Sequence, residues 1–400
     1  MEFYLQFGWG MMGLTEELLR NWGGGKVILS PRDLEPQQVP RFSQKVLSLT
    51  GEVLLDPQCY ARGADHHRLL RHEYFQIFKS NTSSSLLTGP GAEQLLSALA
   101  RLVAPLGIRR HILPSLLANT VDDLWFAFQE RILEEALNHF RDDSLLATIA
   151  LSSVSMLDED QVEAVIDRAS TWPVNGFYVV AESPSGYLVD NPMWVANLLI
   201  LTSGLKLLDK EVVVGYCNHQ SLCLAAANVD AISSGTWLNL RNFPPDKFYM
   251  PSIDDVSIPT PIAWYYCPHA LSEFTLPFMD IAKKQNVLDE MRCNPAAGSN
   301  YADVLFTGAS PASIRWGKDQ AFRHYLTCLR SQTASVRKGT YRETLSSYRQ
   351  MLSEAERVLH RFNSLGVFGL DRDFRNYIDV NRSALIYFDQ ARGHQLRRNW

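Results

Sequence analysis

No stretch of the 400 residues approaches the roughly eighteen consecutive apolar positions that a membrane-crossing helix needs. No membrane partner is therefore expected. Cysteine is scarce: Cys59, Cys217, Cys223, Cys267, Cys293 and Cys328 are scattered with no CxxC pair, so a disulfide framework is not expected either. Cys267-Pro268-His269, with Cys293 and His324 downstream, supplies sulfur and nitrogen donors, but the spacings fit no tetrahedral zinc signature. The opening Met1 to Leu14 lacks the basic start and small-residue cleavage site of a signal peptide, which makes a reduced, cytoplasmic chain the expectation. A convincing dinucleotide turn is missing too. Gly8-Trp9-Gly10-Met11-Met12-Gly13 has the GxGxxG spacing, yet the next strand ends in Arg32 and Asp33 side by side rather than in the lone acid that a ribose requires.

Negative charge runs thin toward the end of the chain. Arg315 to Trp400 holds 16 Lys and Arg against 8 Asp and Glu, whereas the preceding 314 residues hold 22 against 35. A basic last third on an acidic body points to a polyanionic partner or to an arginine-rich solvated helical surface.

What is present is a repeated strand-helix rhythm. Glu211 to Arg241 reads as a buried strand (Val212 to Tyr216), a polar loop, a small helix (Ser221 to Ala227) and a second buried strand (Val229 to Ser234). Strands that are apolar throughout are covered on both faces, and so short a return leaves only the right-handed parallel crossover. Earlier strands are read at Glu2 to Phe7, Lys26 to Ser30, Glu52 to Leu55, His111 to Leu117, Leu145 to Leu151 and Phe177 to Ala181. Eight strands by residue 235 predict an α/β fold, a (β/α)8 TIM barrel over residues 1–241, with a doubly wound open sheet as the alternative. Seven prolines between Pro244 and Pro277, among them Pro251, Pro259 and Pro261, predict an irregular rim segment over 242–320. Helical spacing in Phe322 to Leu329, Tyr341 to Phe362 and Arg372 to Phe388 predicts a helical, basic C-terminal region over 321–400.

In a parallel barrel the strand C-termini open into one mouth, so polar residues there can meet although far apart in sequence. Asp56 and Glu182 each follow an apolar strand, where a carboxylate gains the raised proton affinity that acid/base work requires. Gln58, Ser115, Asn218, His219, Ser233 and Ser234 occupy comparable positions, and Trp237 is an aromatic rim residue. Plainer roles compete. Asp56 before Pro57 and Glu182 before Ser183-Pro184 suit turns, His219 suits a core, and Asp230 stands at the start of its strand, away from the active face.

Several of these segments resemble the tRNA-guanine transglycosylase superfamily, in the branch that inserts 7-deazaguanines into DNA. LLDPQCY places Asp56 where that family has an aspartate in a DSGGFQ-type turn. VVAES, with Glu182, is similar to GLAVGE; VVVGYCNHQ followed by DAISSGTWLNLR is similar to the seventh and eighth strands, LMGVG and DxFDCVLPTR. AFRHYL (Ala321 to Leu326) is similar to a histidine-bearing helix near the family's C-terminus. The resemblance implies a base exchange in which a catalytic aspartate attacks C1′ of a guanosine nucleotide in DNA and a 7-deazaguanine such as preQ0 enters. It implies Asp56, Asp230 and Glu182 as catalytic candidates, a flipped guanine held by rim aromatics such as Trp9, Tyr60 and Trp237, and accessory DNA-modification proteins as further partners. Two departures stand out: the family's nucleophile falls at Ser233, and the stretch matching its CxCxxC zinc cluster, Leu305 to Arg315, contains no cysteine. No cofactor is therefore expected with certainty, zinc staying open as an alternative although its usual cysteine cluster is absent. A nucleic-acid-binding barrel without transferase activity and a barrel N-glycosidase are the alternatives.

Overall fold

The computed structural model describes residues 1–250, 262–293 and 299–400; Pro251, Pro259 and Pro261 of the expected rim segment lie outside them. The strands are β1 (Glu2–Gln6), β2 (Gly25–Leu29), β3 (Gly51–Leu55), β4 (Arg110–Ile112), β5 (Ser144–Leu151), β6 (Gly176–Ala181), β7 (Glu211–Val214) and β8 (Ala231–Ser234). All pair in parallel, in the order β3-β2-β1-β8-β7-β6-β5-β4, with Leu5 opposite both Val27 and Ser234. Most strands carry Val, Ile, Leu or Ala on both faces, and helices cover the outside, so the result is a nearly closed (β/α)8-like barrel.

Closure at the gap between β3 and β4 comes from side chains. Arg110 on β4 reaches Glu52 on β3 at 2.6 Å and also pairs with Glu211 on β7. Lys26 joins Glu2 at 2.9 Å, so strand starts supply a ring of alternating charges that plugs the N-terminal end. β4 is shorter than its sequence suggests because Pro114 has no N–H to continue the ladder. The small helix between β7 and β8 is a 3₁₀ helix, His219–Ala227, rather than a standard helical turn.

The helix Pro192–Leu207 is apolar on nearly every side because the C-terminal helix Arg375–Asn399 covers its outer face. Among the described residues no helix is long and apolar enough to cross a membrane. The expected rim segment contains regular structure: an antiparallel hairpin, β9 (Trp264–Cys267) and β10 (Ser272–Thr275), and a helix, Leu276–Lys284. Beyond it come helices Lys318–Val336 and Tyr341–Ser364, which span the first two helical readings, and Arg375–Asn399, which begins three residues after the third reading's start because Arg372 ends a separate 3₁₀ turn.

Candidate active site

Apolar strands deliver polar residues to the barrel's C-terminal mouth. Asp56, the first residue after β3, is 1% exposed. Its carboxylate accepts from the Tyr60 hydroxyl at 2.8 and 2.9 Å, from the Tyr216 hydroxyl at 2.8 Å and from the Gln58 backbone N–H at 2.9 Å. Tyr216 comes from beyond β7, so β3 and β7 face one another across the lumen. The loop geometry is specific: Tyr216 and Gln58 adopt left-handed backbone with φ of 56° and 57°. Gly215 before Tyr216 has no substitute, since a Cβ there would lie 2.3 Å from the Tyr178 hydroxyl.

Around Asp56 the network continues without a break. Gln58 Nε2 donates to Ser30 Oγ at 2.9 Å and to the Tyr216 hydroxyl at 3.2 Å, while Ser30 donates to Asp33 at 2.8 Å. One layer deeper, Gln6 Oε1 accepts from Ser233 Oγ at 2.7 Å and from the Tyr178 hydroxyl at 3.2 Å. Above, the rim segment forms a roof. Phe243 and Phe248 pack on Tyr60 with ring centroids 4.9 and 5.4 Å away, and the Lys247 ammonium sits 3.6 Å from the Tyr216 ring centroid, donating to the Asn239 carbonyl at 3.2 Å.

Burial dominates the electrostatics. It raises the proton affinity of Asp56 above the ordinary carboxylate range, opposed first by Tyr216, then by Tyr60 and the Gln58 amide. Burial likewise drives the Lys247 ammonium well below its usual range, with nearby Arg32 adding to it and Asp33 and Asp56 opposing it. At the mouth, one carboxyl and one amine are thus buried among the rings of Tyr60, Tyr216, Phe243 and Phe248.

Other expected residues fall elsewhere or do structural work. Glu182 reaches the same end of the barrel, but its carboxylate accepts from the Ser153 N–H at 2.8 Å at the start of a neighbouring helix, and its backbone bridges to Phe243. No described hydrogen bond joins it to Asp56. Asp230 precedes β8 at the opposite, N-terminal end, paired with Lys206 at 2.8 Å and accepting from the Val212 N–H at 2.7 Å. That position corrects its inclusion among the catalytic candidates: a carboxylate at the barrel floor is separated from the mouth by the packed lumen. Ser115 accepts from Gln129 at 2.7 Å, on the helix side of its strand. Asn218 caps the 3₁₀ helix by accepting from the Gln220 N–H at 2.8 Å. Ser234 is fully buried. His219 is enclosed by Tyr187, Tyr266, Tyr325 and Phe374, and burial pushes its imidazole down to about 3, which leaves it neutral at physiological pH. Trp237 stands at the rim, its indole N–H donating to the Trp9 carbonyl at 3.3 Å.

Tyr178, Tyr216 and Lys247 were not singled out by strand-end polarity, because an aromatic residue beside a strand reads as core. A Gly-Tyr pair immediately after an apolar strand was the available signal for Tyr216.

The sulfur and nitrogen donors near the hairpin do assemble, with Cys293 Sγ 3.7 Å from Cys328 Sγ and Cys328 Sγ 3.7 Å from His324 Nδ1. Both His324 nitrogens are engaged, however, Nδ1 with Ser299 Oγ at 2.9 Å and Nε2 with the Tyr266 carbonyl at 2.8 Å. That arrangement does not fit a zinc ligand set, and no group of three or more donor residues among those described is disposed to hold a metal.

Fold and site together define a (β/α)8-like barrel with an ionisable cluster at its C-terminal mouth. No model of a known protein family matches the chain, and no curated protein matches it.

Proposed function

We propose that the chain breaks and remakes the glycosidic bond of a nucleotide, exchanging guanine in DNA for a 7-deazaguanine base, with Asp56 as the covalent residue. One observation carries this reading: a buried carboxylate, held by two phenols and a backbone amide, lies beneath a roof of aromatic rings, with the Lys247 nitrogen 3.6 Å from the Tyr216 ring centroid. Cleavage of an N-glycosidic bond develops positive charge on the sugar, and a preorganised anion flanked by aromatic faces stabilises that charge more than it stabilises the neutral substrate. Asp56 Oδ would bond to C1′ as the C1′–N bond breaks, guanine leaving with a proton supplied by Glu182 or water. The incoming base would then displace Asp56 and surrender its own proton, so two inversions retain configuration. The roof residues Phe243, Lys247 and Phe248 must move aside for the sugar to enter.

Ser233 favours a second reading. It stands where the resemblance places a nucleophile, is fully buried and is bonded to Gln6, which suits a barrel that binds nucleic acid without turnover.

Nucleoside mass spectrometry separates the two. The chain, incubated with guanine-containing DNA and preQ0, should release guanine and incorporate the deazapurine, and a denaturation-stable adduct should map to Asp56. Bound DNA with no release, no incorporation and no adduct would leave the second reading standing.

A further inference from the structure

Three clefts of about 570, 290 and 550 Å³ meet at Lys318, the first residue of the helix Lys318–Val336, on the side of the barrel where the loops after β1 and β8 emerge. Their shared walls are flat rings. Trp9, 57% exposed, belongs to the loop after β1; Trp237 follows β8 and meets Phe322 at a centroid distance of 5.1 Å. Trp264 on β9 lines the far cleft.

Each tryptophan has a cation over its face. Arg68 lies 4.2 Å from the Trp9 ring centroid, Lys318 5.1 Å from Trp237 and Arg372 4.2 Å from Trp264. The described lining carries five cations against three carboxylates. Glu17 is held by Arg323, and Glu273 by Arg241 and Arg372, so only Asp319 offers an uncompensated negative charge. Arg315 and Lys318 are exposed and have no carboxylate partner among the described residues. Thr236 lines two of the clefts, and its buried Oγ1 has no hydrogen-bond partner there.

From this pattern we infer that the groove binds single-stranded nucleic acid, with bases stacked on the exposed faces or edges of Trp9 and Trp237 and phosphates drawn to Arg315 and Lys318. Rings that each carry a cation put stacking surface and positive charge side by side, which suits the alternation of base and phosphate along one strand. A duplex hides its base faces in its own stack, so it gains only the electrostatic contribution. The inference does not require base exchange at Asp56, because strand binding is measured without turnover.

Fluorescence anisotropy of a labelled oligodeoxynucleotide of about 15 nucleotides, set beside the same sequence as a duplex and as RNA, tests it. The single strand should bind more tightly than the duplex and quench tryptophan fluorescence; the RNA arm reports which sugar is preferred. Trp9→Ala and Trp237→Ala should each weaken binding roughly 5- to 150-fold, as expected for one lost stacked base. Lys318→Gln should lower the salt slope by about 0.7, one phosphate contact. Leu124→Ala, an exposed site in a different cleft, should change nothing. Duplex binding as tight as single-strand binding, or unchanged affinity in both tryptophan variants with native melting curves, would overturn the inference.

Discussion

Asp56 carries a free-energy cost that its three donors only partly offset. Because burial raises its folded proton affinity above the unfolded value, the folded state holds the proton longer as pH rises. The sign follows from linkage: the cost is absent at acid pH, where both states are protonated, grows as pH rises through the ordinary carboxylate range toward the folded value, and is complete above it. Asp56→Asn keeps the shape and removes the charge. The variant should melt several degrees higher than the parent at pH 7 to 8, with the gap closing toward pH 4, while base release disappears. Thermal melts at a series of pH values, read beside the nucleoside assay, check both halves. A variant that melts lower at every pH would mean that the carboxylate stabilises the fold. Of this residue's setting, the position at a strand end was legible in the sequence. The approach of Tyr216 was not, since it depends on a left-handed backbone and on the bare Gly215 beneath Tyr178.

At the scale of elements, the eight strands were legible because each is an apolar run closed by turn residues. Their exact ends were less so: the last strand is read from Val229 but β8 begins at Ala231, although the placement of Asp230 away from the mouth was legible all the same. The rim was the hardest to read. Its prolines mask a hairpin whose place is fixed by a buried charge cluster, with Glu273 on β10 held 3.3 Å from Arg241 and 2.9 Å from Arg372. Glu273 and Arg241 side chains are each 3% exposed, so the cluster clamps the end of the barrel, the hairpin and the C-terminal helices together. The folded carboxyl of Glu273 lies below the ordinary range: burial works against this, but the two guanidiniums outweigh it. Its contribution is therefore present at neutral pH and is lost as pH falls through the folded value. Glu273→Ala strands the buried Arg241 guanidinium and the partly buried Arg372 and should cost about 3–5 kcal/mol, measured from denaturant midpoints at pH 7. A cost below about 1 kcal/mol would mean water reaches the cluster.

Across the whole molecule, much of the basic excess of the last third turns inward on the acidic body. Arg392 pairs with Glu163, Arg361 with Glu290 and Arg323 with Glu17 at 2.8 Å, so the C-terminal helices are fastened to the barrel and to the rim segment partly by charge. The bulk count alone overstated how many cations stand ready for a polyanion. The cysteines behave as core residues: all six are buried, and burial pushes the Cys217 and Cys267 thiols up to about 12. A charged aromatic disulfide reagent should therefore label the native protein only slowly and titrate six thiols after denaturation. Rapid native labelling would overturn the reading of all six as core residues.

The barrel's hydrogen-bonded ladder runs from β3 round to β4 and stops, leaving Arg110 and Glu52 to span the interval. The ring is thus a horseshoe latched by an ion pair and, beyond the strands, by the Leu117 N–H donating to the Tyr60 carbonyl at 2.9 Å, and the chain leaves it at Asp56 for a long excursion before rejoining at Arg110. Exposed inserts within that excursion beyond Tyr60, whose hydroxyl holds Asp56 and whose carbonyl accepts from the Leu117 N–H, would leave every strand-to-strand rung intact, which makes it the place where this architecture tolerates added chain.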